Sequence, residues 1–283
     1  MRLSNTPQVK RFIAQAIAED LGQGDVTTEA LIPKTKRGGA SIIAKASGTI
    51  AGVEIAKQVF LKVDPELKLA ILIEDGTEVK RGDIVAKIEG RIASILKAER
   101  VALNLLQRLS GIASETTQYV RAVNGLPVQI TDTRKTTPGL RTLEKYAVQV
   151  GGGKNHRMHL GDGVLIKDTH LTALRHQGLG ITEIVTKARQ EAPPKLKIEV
   201  EVKTPQEAVE AARAGADIIM LDNMSLEDMR QAVQLVKTQA LIEASGGITL
   251  DKVRAVAETG VDLISIGALT HSVKALDISL ELD

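Results

Sequence analysis

The sequence predicts an α/β protein in which a strand-rich N-terminal region precedes a larger segment of alternating strands and helices. Three observations carry this. Short apolar runs recur at 128–134, 163–168, 197–202, 217–222, 240–245 and 262–267. The stretches between them have helical periodicity, as in Ala208, Val209, Ala211 and Ala212. That β-α alternation specifies a parallel sheet covered by helices. Up to about residue 90 the pattern is different: Leu67, Leu69, Ile71 and Ile73 alternate, as do Ile84, Ala86 and Ile88.

In order along the chain, Val9, Phe12, Ile13, Ala16 and Ile17 fall at helical spacing with charged or polar residues between them. Asp75-Gly76 and Arg81-Gly82-Asp83 read as turns in the strand-rich region. A long helix is expected from about Ile92 to Leu109, with Ile95, Leu96, Val101, Leu105 and Leu106 as its apolar face. The six strands that follow suit a barrel, closed or partly open, or a doubly wound sheet, and periodicity alone does not separate them. Polar strand ends favour the barrel, whose reacting groups sit at the C-terminal ends of the strands. Those ends are Asp132-Thr-Arg-Lys135, Lys167-Asp168, Glu199-Val-Glu201, Asp222-Asn223, Ser245-Gly-Gly247 and Gly267. The last two are small-residue turns entering helices, which offer backbone N–H groups and a positive helix end to an anion.

Composition excludes several classes. The 283 residues contain no cysteine, so neither a disulfide framework nor thiolate chemistry is available. A net charge of +2 with two Tyr, two Phe and no Trp argues against nucleic acid as a partner. No apolar run approaches the ~18 residues of a membrane span, and a cytoplasmic protein is expected. The low aromatic content has no functional account.

Charge concentrates in one region. Residues 130–170 hold seven Lys or Arg, three of the five His and only four acidic residues. Several of these bases end apolar runs, as Ile130 leads to Arg134 and Lys135, and Ile166 to Lys167. A buried strand ending in a cation delivers that cation to a site, because an unpaired charge beside a core costs several kcal/mol. The expected ligand is small and multiply anionic.

The motifs Glu19-Asp-Leu-Gly-Gln-Gly-Asp-Val-Thr27, Glu99-Arg-Val-Ala-Leu-Asn104 and Leu109-Ser-Gly-Ile112 precede the basic region. Glu199-Val-Glu-Val202, Leu221-Asp-Asn223, Ala244-Ser-Gly-Gly-Ile248 and Ile266-Gly-Ala-Leu-Thr-His271 follow it. In this number, order and spacing they resemble the quinolinate phosphoribosyltransferases, or nicotinate-nucleotide pyrophosphorylases (carboxylating), over essentially the whole length. The resemblance implies an open, partly closed α/β barrel (109–269) preceded by a smaller α/β-sandwich domain (1–108), with 270–283 packed on the latter. It implies transfer of a phosphoribosyl group from 5-phosphoribosyl-1-pyrophosphate (PRPP) to quinolinate with decarboxylation. The products would be nicotinate mononucleotide, pyrophosphate and carbon dioxide. Mg2+ would serve as cofactor, in a homodimer with shared sites.

Residue by residue, the resemblance implies Arg134, His156, Arg157 and Lys167 as quinolinate contacts, with Arg100 reaching in from the partner subunit. Guanidinium forks suit a planar dicarboxylate where Lys gives only a point charge. Glu201 and Asp222 match the family's acidic pair, which stabilises charge at the anomeric carbon and holds magnesium directly or through water. Lys135 would neutralise a phosphate and act in catalysis, while Ser245, Gly246, Gly247 and Gly267 would cradle phosphate. Glu199 shares a strand face with Glu201 and is equally readable as a structural ion-pair partner.

Other readings are weaker. His156 and His159 form an i,i+3 pair without a third zinc ligand at recognisable spacing. Gly151-Gly-Gly-Lys154 lacks the Ser or Thr and the earlier Gly of a nucleotide-binding P-loop. A nicotinate-using enzyme would need fewer cations, and paralogues found alongside molybdate transporters share much of the framework. Residues 40–90 resemble part of a lipoyl or biotinyl carrier but lack the Lys context such a carrier needs.

Overall fold

The computed structural model describes residues 6–176 and 178–283. The chain divides into two compact units, Met1–Thr117 with Thr137–Gly152 and Ser272–Asp283, and Gln118–Thr136 with Gly153–His271.

The first unit comprises α1 (Pro7–Leu21), α2 (Val26–Leu31), β1 (Arg37–Ala44), β2 (Gly48–Thr49), α3 (Val53–Val63), β3 (Lys68–Ile71), β4 (Glu78–Val79) and β5 (Ile84–Arg91). It also takes most of α4 (Ile92–Ala122), together with α5 (Arg141–Val150) and the C-terminal strand β12 (Ile278–Leu282). The Thr6 hydroxyl accepts from the Val9 N–H and Pro7 sits in the first turn, which starts α1 where its apolar stripe of Val9 and Ile13 is buried. The main sheet has the order β12-β1-β5-β3, antiparallel throughout. Gly76 and Gly82 turn the chain at φ 89° and 98°.

Helix α4 runs 13 residues beyond the predicted end at Leu109. Ser110-Gly111 reads locally as a stop, but the glycine is there for close approach. A Cβ on Gly111 would lie 2.3 Å from the Lys274 carbonyl oxygen and 3.1 Å from the Ala275 Cα.

The second unit comprises β6 (Gln129–Thr131), β7 (Val164–Ile166), α6 (Asp168–Arg175), α7 (Ile181–Glu191), β8 (Ile198–Val202), α8 (Pro205–Arg213) and β9 (Ile218–Asp222). It continues with α9 (Leu226–Val236), β10 (Leu241–Ser245), α10 (Val253–Ala257), β11 (Leu263–Ser265) and α11 (Ala268–His271). All six predicted strands form, in the order β6-β11-β10-β9-β8-β7, and every pairing is parallel. Strands β6 and β7 end the sheet without pairing with each other, so the barrel is open. At the β6 edge a single parallel bridge joins Thr131 to Lys154. Helices cover the outer face; β9 reads as a nearly continuous run of Ile, Met and Leu, as parallel strands require, while β8 alternates Ile198, Val200 and Val202 with Glu199 and Glu201.

Gly111→Ala tests the close approach. In an unobstructed helix the change would stabilise by about 1 kcal/mol. Here it should destabilise by roughly 1–3 kcal/mol, because backbone atoms must shift. Denaturant unfolding reads the sign.

Candidate active site

Side chains two residues apart on a strand share a face, so the interior of the second unit is set by alternate positions: Glu199 and Glu201 on β8, Met220 and Asp222 on β9, Glu243 and Ser245 on β10. At the C-terminal strand ends Glu201, Met220, Asp222, Glu243 and Ser245 line a cavity of about 390 Å³, together with Arg134, Lys135, His156, Arg157, Lys167 and Ser265. That is within the ~300–1,000 Å³ typical of small-molecule sites.

The basic wall is built where the chain leaving α5 returns to the edge of β6. The Lys154 N–H donates to the Ile130 carbonyl (2.8 Å) and its carbonyl accepts from the Asp132 N–H (3.1 Å). The fully buried Asp132 carboxylate then accepts the His156 N–H at 2.9 Å. This places His156 and Arg157 beside Arg134. Arg157 donates to the Gly163 carbonyl at 3.0 Å. Its pKa is lowered, first by burial and then by the positive charge of Arg134. Two crowded guanidinium groups of this kind favour an anion between them. Lys167 stands at the N-cap of α6, with its N–H donating to His170 Nδ1.

The acidic wall lies opposite on β8 and β9. Burial, and then the charges of Asp222 and Asp168, raise the Glu201 carboxyl above its usual range. Carboxylates that repel one another in this way suit a hard divalent cation, which takes oxygen ligands. Glu201 and Asp222 are therefore a chemically fitting pair for magnesium. Asn223 adopts left-handed backbone at φ 53° and donates from Nδ2 to Asp222 Oδ1 at 2.9 Å, fixing that carboxylate.

Ser245 lines the cavity, and Gly246 and Gly247 follow it with φ of 97° and 60°. A Cβ on Gly246 would sit 2.4 Å from Asn223 Oδ1, so only glycine fits. A Cβ on Gly267 would meet the Lys135 stem at 3.0 Å, and the Lys135 carbonyl accepts from the Thr270 hydroxyl at 2.8 Å. Lys135 is thus seated over the Gly267 turn. The expectation of positive helix ends at these turns is corrected. α10 has five residues and begins only at Val253, and α11 has four, so loop N–H groups rather than aligned helix dipoles are the available donors.

Arg100 does not line the cavity; it is exposed on α4, with its guanidinium 3.6 Å from Glu99. His159 pairs with Asp162 at 2.7 Å and is two-thirds exposed, so it does not join His156 as a metal pair.

Sequence reasoning missed Glu243. It is fully buried in the middle of β10, within 3.6 Å of His156 Nε2, and His156 Nε2 lies 3.0 Å from Glu199. A lone acid inside the apolar run Leu241-Ile-Glu-Ala was the available signal. Burial and the Glu199 charge push the Glu243 carboxyl up to about 7.

Comparisons with known proteins agree with this geometry. Residues 25–110 match the family model for the quinolinate phosphoribosyl transferase N-terminal domain, and residues 112–281 the model for its C-terminal domain. A Bacillus subtilis protein described as a probable nicotinate-nucleotide pyrophosphorylase (carboxylating) is 44% identical over 98% of this chain and 94% of its own. A Nicotiana tabacum quinolinate phosphoribosyltransferase (decarboxylating) is 42% identical over 98% of this chain and 83% of its own. The crystal structure of NadC from Streptococcus pyogenes superposes with a TM-score of 0.93 at 42% identity, covering 98% of each chain. With both domain models matched across nearly its whole length, the chain belongs to the quinolinate phosphoribosyl transferase family.

Proposed function

We propose that the protein transfers the phosphoribosyl group of PRPP to the ring nitrogen of quinolinate and releases carbon dioxide, giving nicotinate mononucleotide and pyrophosphate. The observation that carries this is the meeting, in one cavity, of two guanidinium groups and Lys167 with an opposed carboxylate pair and a Ser-Gly-Gly turn. Arg134 and Arg157 hold the dicarboxylate by forked hydrogen bonds, with Lys167 adding charge. Lys135, Ser245, Gly246, Gly247 and Gly267 hold phosphate. As pyrophosphate leaves, Glu201 and Asp222 stabilise the positive charge developing at the anomeric carbon. Mg2+ at Glu201 and Asp222 would supply further charge neutralisation for the departing pyrophosphate.

Three cations around one small site exceed what a monocarboxylate such as nicotinate requires, and the family match extends through the N-terminal region once readable as a carrier module. Among the described residues no helix is long and apolar enough to cross a membrane. The proposal includes a cytoplasmic homodimer, in which the exposed Arg100 completes the site of the second copy.

Three outcomes check this reading. Arg134→Ala should weaken quinolinate binding by roughly 2–5 kcal/mol while leaving PRPP affinity in place, as calorimetry would show. Asp222→Asn should lower kcat by about 10²–10³-fold with little change in quinolinate Kd; equal losses would make the residue structural. Mixed and subunit-exchanged Arg100→Ala and Glu201→Ala chains should recover roughly a quarter of wild-type activity, because half the dimers are mixed and each carries one intact site.

A further inference from the structure

The interior of the second unit contains a second cavity, of about 250 Å³, at the N-terminal ends of the strands, where Gln129, Lys197, Ile218 and Leu263 line it. His156, Arg157 and Glu243 line both this rear cavity and the one at the strand C-termini. A carboxyl group therefore sits in the partition between the two chambers. Neither oxygen of Glu243 has a well-formed hydrogen bond, although the side chain is fully buried. The titratable or polar groups facing it are Glu199 from β8, His156 from the segment between α5 and β7, and Ser265 from β11.

This cluster could hold either a metal ion or a proton. Ligand atoms of His156, Glu199 and Glu243 lie within 4.8 Å of one another. A metal-bound imidazole, however, donates its other ring N–H to a neighbour. Here His156 Nδ1 instead accepts the Arg157 N–H at 2.8 Å, which assigns the ring proton to Nε2, facing Glu199. A metal at Nε2 would have to break the bond that seats Arg157. The geometry therefore favours a neutral imidazole donating to an ionised Glu199, with Glu243 kept as the acid. Two ionised carboxylates this close, around a neutral imidazole, would repel strongly.

The proposed reaction requires such an acid. In the N-ribosylated dicarboxylate, the bond from ring carbon 2 to its carboxylate breaks and carbon dioxide leaves. The electron pair stays on that carbon, beside the cationic nitrogen, and must take up one proton. Lys135 and Lys167 serve as ammonium ions and would surrender their hold on phosphate and carboxylate by giving a proton away. We propose that Glu243 donates the proton to carbon 2, and that its carboxylate then recovers one from water entering the rear cavity. This rests on the quinolinate reading above.

Glu243→Gln in the full-length enzyme preserves the size and neutrality of the acid but cannot release a proton. Rapid-quench assays would follow pyrophosphate and carbon dioxide together, using quinolinate labelled at its 2-carboxylate. General acid catalysis contributes roughly 10²–10⁴-fold, so carbon dioxide release should slow by about 10²-fold or more. Pyrophosphate release should persist while the dicarboxylated mononucleotide accumulates. Parallel loss of both products, or no lag between them, overturns the proposal. Wild-type enzyme that releases pyrophosphate without carbon dioxide would instead sink the quinolinate reading, and this proposal with it.

Stability gives an independent readout. Folded Glu243 keeps its proton to about 7, whereas the unfolded group releases it near 4.5. The unfolded state thus binds fewer protons between those values, and native stability falls as pH rises through that window. The Gln variant lacks this loss, so its Tm relative to wild type should rise from pH 5 to pH 8. A difference that stays flat with pH would show that Glu243 is not held protonated, and would overturn the assignment.

Discussion

Like charges gathered in one cavity constrain the second unit more than any other feature. Burial, and then the positive charge of Arg134, disfavour the charged form of Arg157. Coulomb energy between unit charges a few ångströms apart reaches several kcal/mol at an effective dielectric near 20. A surface loop would relieve such repulsion by swinging one side chain into water. Here the buried Asp132 carboxylate, the Lys154 bridge to β6 and the Arg157 bond to Gly163 prevent that relaxation. The repulsion is therefore held in place, and an anion seated between the two guanidinium groups would offset it.

The same strand supplies acids of two kinds because depth in the barrel sorts them. Glu199 and Glu201 point to the same face and stand ~6–7 Å apart along β8. Glu199 is buried against His156, while Glu201 reaches the cavity beside Asp222. Near the strand ends, carboxylates remain accessible to a hydrated cation and to a sugar phosphate. Two residues deeper, a carboxylate needs a neighbouring hydrogen-bond donor or must stay protonated. Parallel strands that all end at one rim turn this gradient into a division of chemistry.

How much was legible in the sequence follows from which signals are local. Six strands were readable because buried parallel strands are apolar runs bounded by polar ends, and the residues at those ends are the ones that meet in the cavity. Arg134, Lys135, Lys167, Glu201, Asp222 and Ser245 are of this kind. The length of α4 was hidden because Gly111 answers to a chain segment more than 160 residues away, not to the helix itself. The lack of true helix ends at the two glycine turns was hidden too, since α10 and α11 are too short for a periodic signal. Glu243 was visible only as an oddity, an acid in an apolar strand. Its significance depends on a partner from β8 and another from the segment between α5 and β7, which no spacing rule brings together.

His156 shows most clearly why position in the motif and role in the site differ. Its place among the quinolinate contacts follows from resemblance, and counting it with the arginines and Lys167 would add a further cation. The local geometry argues otherwise: with Nδ1 accepting from Arg157 and Nε2 facing Glu199, the ring is neutral and both nitrogens are engaged. Its contribution is then to join the layers, fixing the backbone of Arg157 above and the ionisation of the two carboxylates below. Arg134, Arg157 and Lys167, joined by Arg100 of the second copy in the proposed dimer, already carry more positive charge than a dianion needs, which favours the carboxylate form of the bound ring acid. A protonated histidine would deepen that preference and hold the 2-carboxylate more firmly in the ground state, opposing its departure. A neutral histidine over a buried acid avoids this trap, since the cavity binds charge at one level and can supply a proton from the next.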